Sequence, residues 1–233
     1  MALILNIETS TQVCSISLSD DGIITGIKES HTKNSHSELL TIFAQQLIND
    51  QAYEFKDLDA IAVSMGPGSY TGLRIGVSTA KGLCYSLDKP LIAISTLEAM
   101  AAGMIQEMEN IEDDYLFCPM IDARRMEVYS ALFTPDISMH RKILAEIIDE
   151  NSFSKDLKNN TIVFGGDGAP KCKEILDKNQ NTIFLDDFLP SSRFMAHLAE
   201  EKFQNKIFED VAYFEPFYLK DFVAGIPRVK GLR

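Results

Sequence analysis

Hydrophobic and polar positions alternate from the start of the chain. Leu3-Ile4-Leu5-Asn6-Ile7-Glu8-Thr9-Ser10, then Val13 to Leu18, then Ile23-Ile24 after the polar Asp20-Asp21-Gly22, predict antiparallel strands joined by short turns. The period changes between Ser35 and Asn49, where Leu39, Leu40, Phe43, Leu47 and Ile48 recur at helical spacing. Ser35 as N-cap with Glu38 three residues on gives a capping-box pattern for the start of this amphipathic helix. Ala60-Ile61-Ala62-Val63 reads as a short buried strand, broken by Gly66-Pro67-Gly68, and a helix follows over Thr71 to Tyr85. Beyond it come a strand at Pro90 to Ile94 and an Ala- and Met-rich helix from Thr96 to Met108.

The opening pattern then returns. Tyr115 to Phe133 again reads strand, polar turn, strand, and in both copies the first apolar strand ends on an acidic residue, Glu8 or Asp122. A second glycine-rich turn, Gly165-Gly166-Asp167-Gly168, follows the strand Ile162-Val163-Phe164, and an amphipathic helix runs from Ser192 to about Phe203. Such self-similarity predicts two copies of one fold, with a boundary between Gly103 and Asp113.

The first glycine-rich turn carries the strongest candidate chemistry. A loop opening into a helix can present backbone N–H groups to an anion. Gly72 is followed by Leu73-Arg74 and not by Lys-Ser/Thr, so the spacing excludes a Walker A loop. Gly72, Gly76, Ser78, Ala80 and Gly82 recur through the helix although each interior glycine costs roughly 1 kcal/mol relative to alanine. Small side chains allow close approach, so this face is expected to meet another helix, of this chain or of a partner.

Composition narrows the function further. The 233 residues are 45% hydrophobic, enough for real cores, and no run approaches the roughly 20 apolar residues of a membrane span. Met1-Ala2-Leu3-Ile4 leads into a strand with no basic segment before it, so a cytoplasmic protein away from membranes is expected. A net charge of −12, with only Arg228, Lys230 and Arg233 as a thin basic end, argues against autonomous nucleic-acid binding. Cys14, Cys84, Cys118 and Cys172 are widely spaced, which predicts reduced, structural thiols and no zinc site.

Two sets of residues occupy the positions where actin-like ATPases hold a nucleotide: Glu8-Thr9-Ser10-Thr11 in the first hairpin and Gly166-Asp167-Gly168 in the second glycine-rich turn. The hairpin lacks glycine and has Glu where Asp would leave room for a metal-bound triphosphate, which favours a degenerate, structural hairpin. His31, His36, His140 and His197 show no metal spacing, and no Ser or Cys has a matched His and carboxylate for a hydrolytic triad. Arg124, Arg125 and Glu127 are placed to form a local ion-pair cluster, a candidate interface whose plainer alternative is a solvated turn.

Asn6-Ile7-Glu8-Thr9-Ser10, Gly66 to Gly76, Asp122-Ala123-Arg124-Arg125-Met126-Glu127-Val128-Tyr129, Gly166-Asp167-Gly168-Ala169 and Pro216-Phe217-Tyr218-Leu219-Lys220 lie in the order and spacing of a known family. The whole chain resembles the TsaB family, also called YeaZ. The resemblance implies an α/β ASKHA fold (actin-like, RNase H-like) with two duplicated lobes, 1–105 and 106–233, the last helix packing back on the first lobe. It implies a non-catalytic role in forming N6-threonylcarbamoyladenosine at position 37 of tRNAs that read ANN codons.

The family's catalytic relative, TsaD, binds a metal through two histidines. The matching positions here are Thr96 and Met100, a hydroxyl and a thioether that cannot replace two imidazoles, so the resemblance implies no metal, no cofactor and no catalytic residue. It also implies a heterodimer with TsaD, recruitment of the ATPase TsaE to the pair, contact with tRNA only through the complex, and a weaker homodimer when TsaD is missing. The expected interface is His36, Leu39, Leu40, Phe43, Thr71, Arg74, Ile75, Gly76, Ser78, Thr79 and Gly82. Alternatives from other classes are a stand-alone ASKHA ATPase or kinase, suggested by the hairpins, and a metalloprotease, which lacks a paired-histidine motif.

Overall fold

The structure, a computed structural model, describes residues 2–32 and 36–220. Ser35, the expected N-cap, and the basic end at Arg228, Lys230 and Arg233 lie outside the described residues. Among the described residues ten strands form two five-stranded sheets. The first contains β1 (Leu3–Glu8), β2 (Cys14–Asp20), β3 (Ile23–Ser30), β4 (Ala60–Gly66) and β5 (Leu91–Ser95) in the order β3-β2-β1-β4-β5. The second contains β6 (Tyr115–Asp122), β7 (Glu127–Phe133), β8 (Met139–Ile147), β9 (Thr161–Gly165) and β10 (Thr182–Phe184) in the order β10-β9-β6-β7-β8. The two orders are the same, since β6 to β10 repeat β1 to β5 in sequence and in pairing, antiparallel in the meander and parallel after it. This is the duplicated actin-like α/β fold.

Helices α1 (His36–Asp50), α2 (Tyr70–Leu87), α3 (Thr96–Glu107), α4 (Lys173–Leu176) and α5 (Ala196–Gln204) cover the sheets. The strands β1, β4 and β5 of the first sheet are buried on both faces, which is why they read as near-continuous apolar runs. Leu5, Ile7, Leu18 and Val63 meet Leu40, Leu47, Val77 and Cys84 of α1 and α2. Ile4, Ala62 and Ile94 on the opposite face meet Ala99 and Ala102 of α3 and Leu198 and Ala199 of α5. Helix α3 is apolar nearly all round because its other side, with Leu97, Met100 and Met104, packs on Phe117, Ile121 and Val163 of the second sheet. No helix of the described residues is long and apolar enough to cross a membrane.

After α5 the chain returns as a strap along the first sheet and α2. Glu209 N donates to Leu91 O at 2.9 Å, and Lys81 Nζ donates to the carbonyls of Ala212 and Phe214 at 3.2 and 2.9 Å. Phe217 N donates to Met65 O at 2.7 Å, and Lys220 then pairs with Glu127 of the second sheet. All four cysteines are free and buried, and burial pushes the Cys14 and Cys172 thiols up to about 11 and Cys84 up to about 12. Thiols so disfavoured as thiolates are poor nucleophiles.

Candidate functional site

The glycine-rich loop closes onto its own chain. Ser69 caps α2, its Oγ accepting from Gly72 N at 3.3 Å, while Ser69 N donates to Ser10 O at 2.6 Å and Leu73 N to Ser69 O at 2.9 Å. Thr9 Oγ1 donates to Gly72 O at 2.9 Å. The N–H groups of Ser69, Gly72 and Leu73, which could have cradled an anion, are therefore already satisfied. A Cβ at Gly68 would lie 2.5 Å from Ser10 O, and one at Gly72 or Gly76 would run into the Thr9 carbonyl or hydroxyl oxygen. The inner glycines of α2 thus admit the β1–β2 turn of the same chain. This corrects the expected helix–helix contact at Gly72 and Gly76, because the close neighbour is a turn.

Glu8, Thr9, Ser10 and Thr11 are all buried. Ser10 N donates to Glu8 Oε1 at 2.5 Å. Burial pushes the Glu8 carboxyl above the ordinary glutamate value of 4.5, opposed by hydrogen bonds from Ser10 and Ser64. A carboxyl whose folded pKa is raised binds its proton more tightly when folded, so its contribution to stability is fully present below 4.5 and is lost as pH rises through the folded value. Glu8→Gln, which keeps the acceptor and removes the charge, should therefore gain in melting temperature relative to the parent between pH 4 and pH 8. A difference that is flat across that range, measured by calorimetry, would contradict the assignment.

The second glycine-rich turn is closed in the same way. Gly166 has φ +110, as Gly66 does at the end of β4, and a Cβ there would meet Met120 O. Gly168 N donates to Met120 O at 3.0 Å, and Asp122 N donates to Asp167 Oδ1 at 3.0 Å. The Glu8-Thr9-Ser10 turn is packed against α2 and the loop before it, and Gly166-Asp167-Gly168 against β6 and Met100 of α3. Thr96 Oγ1 accepts from Gly66 N at 3.2 Å and Met100 is buried in the core, so both serve packing.

The outer face of α2 is different. Thr71, Arg74, Ser78, Gly82 and Tyr85 are exposed along one stripe, with Ile75 and Thr79 half-buried beside them. Nothing lies within 4 Å of a Cβ built at Gly82. Leu39 and Phe43 of α1 and Ile75 and Leu83 of α2 pack on the core with one side each, and Ile42 (49% exposed) and Tyr85 (87%) extend the apolar surface outward. Arg74 is held in place, its Cζ 4.3 Å from the Tyr70 ring centroid and its Nε donating to Tyr218 OH at 3.3 Å, with the two tyrosine rings 4.9 Å apart.

Three expected interface residues do not reach this surface. His36 is buried and its Nε2 donates to Val13 O at 3.2 Å, Leu40 points into the first core, and Gly76 faces Thr9. On an amphipathic helix the apolar stripe is the inward one, which takes Leu40 away from any partner. Tyr70, Tyr85, Tyr218 and Ile42 were missed. Tyr85 was within reach of sequence reasoning, three residues past Gly82 on the same stripe, whereas Tyr218 reaches α2 only through the strap.

The family described as TsaD, tRNA N6-adenosine threonylcarbamoyltransferase, matches residues 14–228. The chain belongs to the TsaD family. A tRNA threonylcarbamoyladenosine biosynthesis protein TsaB of Haemophilus influenzae is 29% identical over 229 residues, 94% of this chain and 93% of its own. The Bacillus subtilis protein of the same name is 39% identical over 130 residues, 56% of this chain and 54% of its own. The solved structure of YeaZ from Pseudomonas aeruginosa superposes with a TM-score of 0.81 at 22% identity, covering 94% of this chain and all (100%) of that one, which shows the shared fold. Within the TsaD family the chain thus stands with TsaB, the group its motifs resemble.

Proposed function

We propose that this chain is a non-catalytic scaffold in the formation of N6-threonylcarbamoyladenosine on tRNA, and that it docks a catalytic TsaD-type relative on the outer α1–α2 face. The observation that carries the proposal is the contrast between the two sides of α2. The inner side is filled by the Thr9-Ser10 turn where a related ATPase would keep its phosphates, and the outer side presents a fixed Arg74 in a stripe of small and aromatic residues. Small residues at Ser78 and Gly82 permit close helix approach, while Tyr85 and Ile42 supply apolar area at the rim. The interface comprises Leu39, Ile42, Phe43, Thr71, Arg74, Ile75, Ser78, Thr79, Gly82 and Tyr85.

The same face forms a weaker homodimer when the catalytic partner is missing, and the pair recruits the ATPase TsaE. At a net charge of −12 the isolated chain does not bind tRNA, which is held chiefly by the catalytic subunit. No catalytic residue, metal or cofactor belongs to this chain, and it works in the cytoplasm. Depleting it from cells should remove most N6-threonylcarbamoyladenosine from their tRNA, read by mass spectrometry of nucleosides. Unchanged levels after depletion would overturn the proposal.

A further inference from the structure

The β6–β7 turn takes no part in the α1–α2 face but is tied to it through the strap. Lys220, which grips Glu127 in this turn, lies two residues from Tyr218, which holds Arg74, and two residues span at most about 7 Å. Ala123 N donates to Glu127 O at 3.1 Å and Glu127 N to Arg124 O at 3.2 Å, closing a tight loop. At its tip Arg124 (φ 72) and Arg125 (φ 52) adopt successive left-handed conformations that residues other than glycine rarely take, and both side chains are exposed.

Of the two alternatives for Arg124, Arg125 and Glu127, a local ion-pair cluster or a solvated turn, the cluster does not form among the described residues. Lys220 takes the Glu127 carboxylate, and Lys171 Nζ takes Asp122 Oδ1 at 2.5 Å and also donates to Glu127 O at 2.7 Å. Asp122 Oδ1 further accepts the Arg124 backbone N–H at 2.7 Å. Asp167, the third carboxylate, is turned inward on Asp122 N, and burial pushes its pKa up. Two lysines from elsewhere in the chain therefore occupy the nearby carboxylates, and neither guanidinium has a hydrogen bond or ion pair among the described residues. Burial pushes the nearby Tyr129 phenol up, opposed by the charges of Lys220 and Arg124. In a chain with 34 acidic and 22 basic residues, two adjacent, outward guanidiniums that are unpaired among the described residues mark a place that meets an anion from outside.

We propose, resting on the scaffold function above, that Arg124 and Arg125 contact the phosphodiester backbone of the tRNA bound to the complex. The planar guanidinium fork matches a phosphate with two parallel hydrogen bonds, and it stays charged at any physiological pH. Two such contacts are too few to hold RNA alone, in keeping with the acidic chain, but they add to a tRNA already placed by the catalytic subunit. The turn is the part of this chain that reaches the substrate.

The test uses the complex of this chain with its TsaD-type partner and a labelled tRNA, titrated by fluorescence anisotropy between about 50 and 200 mM salt. The double variant Arg124→Asn with Arg125→Asn removes both charges while asparagine tolerates the left-handed backbone. Its slope of log affinity against log salt should fall by about 1.8, so that the affinity lost over this salt range shrinks about tenfold. Arg125→Asn alone should lower the slope by about 0.9, and the double lysine variant should keep it. An unchanged slope in a complex that still assembles overturns the proposal. So does an asparagine variant that stays folded but no longer binds the partner by light scattering, because the arginines would then contact protein. If the parent chain itself forms no complex, the scaffold function falls and this proposal with it.

Discussion

Alanine at Gly72 should destabilise the protein, whereas alanine at Gly82 of the same helix should stabilise it. Helix propensity predicts a gain of about 0.8–1 kcal/mol for either change. Gly82 is exposed with nothing within 4 Å of a built Cβ, so it should realise that gain. At Gly72 the new methyl would run into the carbonyl oxygen of Thr9, and the buried turn cannot move aside without losing the hydrogen bonds from Thr9 Oγ1 to Gly72 O and from Ser69 N to Ser10 O. Overpacking against fixed backbone costs about 1–3 kcal/mol and sometimes more. The net loss should be about 1–2 kcal/mol, a fall in melting temperature of about 2–8 °C for a chain of this size, against a rise of about 2–4 °C for Gly82→Ala. Calorimetry of the two variants decides it, and a Gly72→Ala protein as stable as the Gly82→Ala one would mean that α2 does not lie against the β1–β2 turn.

Arginine at Ser78 should separate partner binding from folding. Ser78 lies exposed between Arg74 and Gly82 on the outer stripe, and exposed substitutions away from caps and cores usually change stability by no more than about 0.5 kcal/mol. Helices that pack through small residues approach to about 8–10 Å between axes, and a long charged side chain placed between them holds them apart. The affinity for the TsaD-type partner should fall about 100-fold, or about 2.8 kcal/mol, with the melting temperature of the isolated chain unchanged. Titration calorimetry with the purified partner provides the number, and full affinity would place the interface elsewhere. Gly76 is not an equivalent probe, because a side chain there would collide with Thr9 inside the chain's own fold.

The strands and helices were legible because their periods are local. Alternation over Val13 to Leu18 and helical spacing over Leu39 to Ile48 each need only a few neighbouring residues, and the repeat of an apolar strand ending on Glu8 or Asp122 exposed the duplication. What the small residues of α2 approach was not legible. The pattern Gly72, Gly76, Ser78, Gly82 records that something comes close, but Gly72 and Gly76 point inward to a turn 63 residues earlier, whereas Ser78 and Gly82 point out. Pairing of Glu127 with Arg124 or Arg125 was the nearest choice along the chain, and it lost to Lys220, 93 residues away, because the strap returns there. That strap has no periodicity of its own. Its course depends on carbonyls caught by Lys81 and on the tilted contact of the Tyr218 ring with Tyr70, contacts between residues 131 or more positions apart along the chain.

The central claim is that this chain supports a catalytic relative through its outer helical face and transfers nothing itself. Light scattering of the chain alone and mixed with the TsaD-type protein of the same organism, followed on the same samples by a threonylcarbamoyl-transfer assay with TsaE and ATP, tests it most directly. The account predicts a mixed complex, transfer that requires both chains, and no ATP turnover by this chain alone. Two proteins that elute separately, with ATP hydrolysed by the isolated chain, would contradict it.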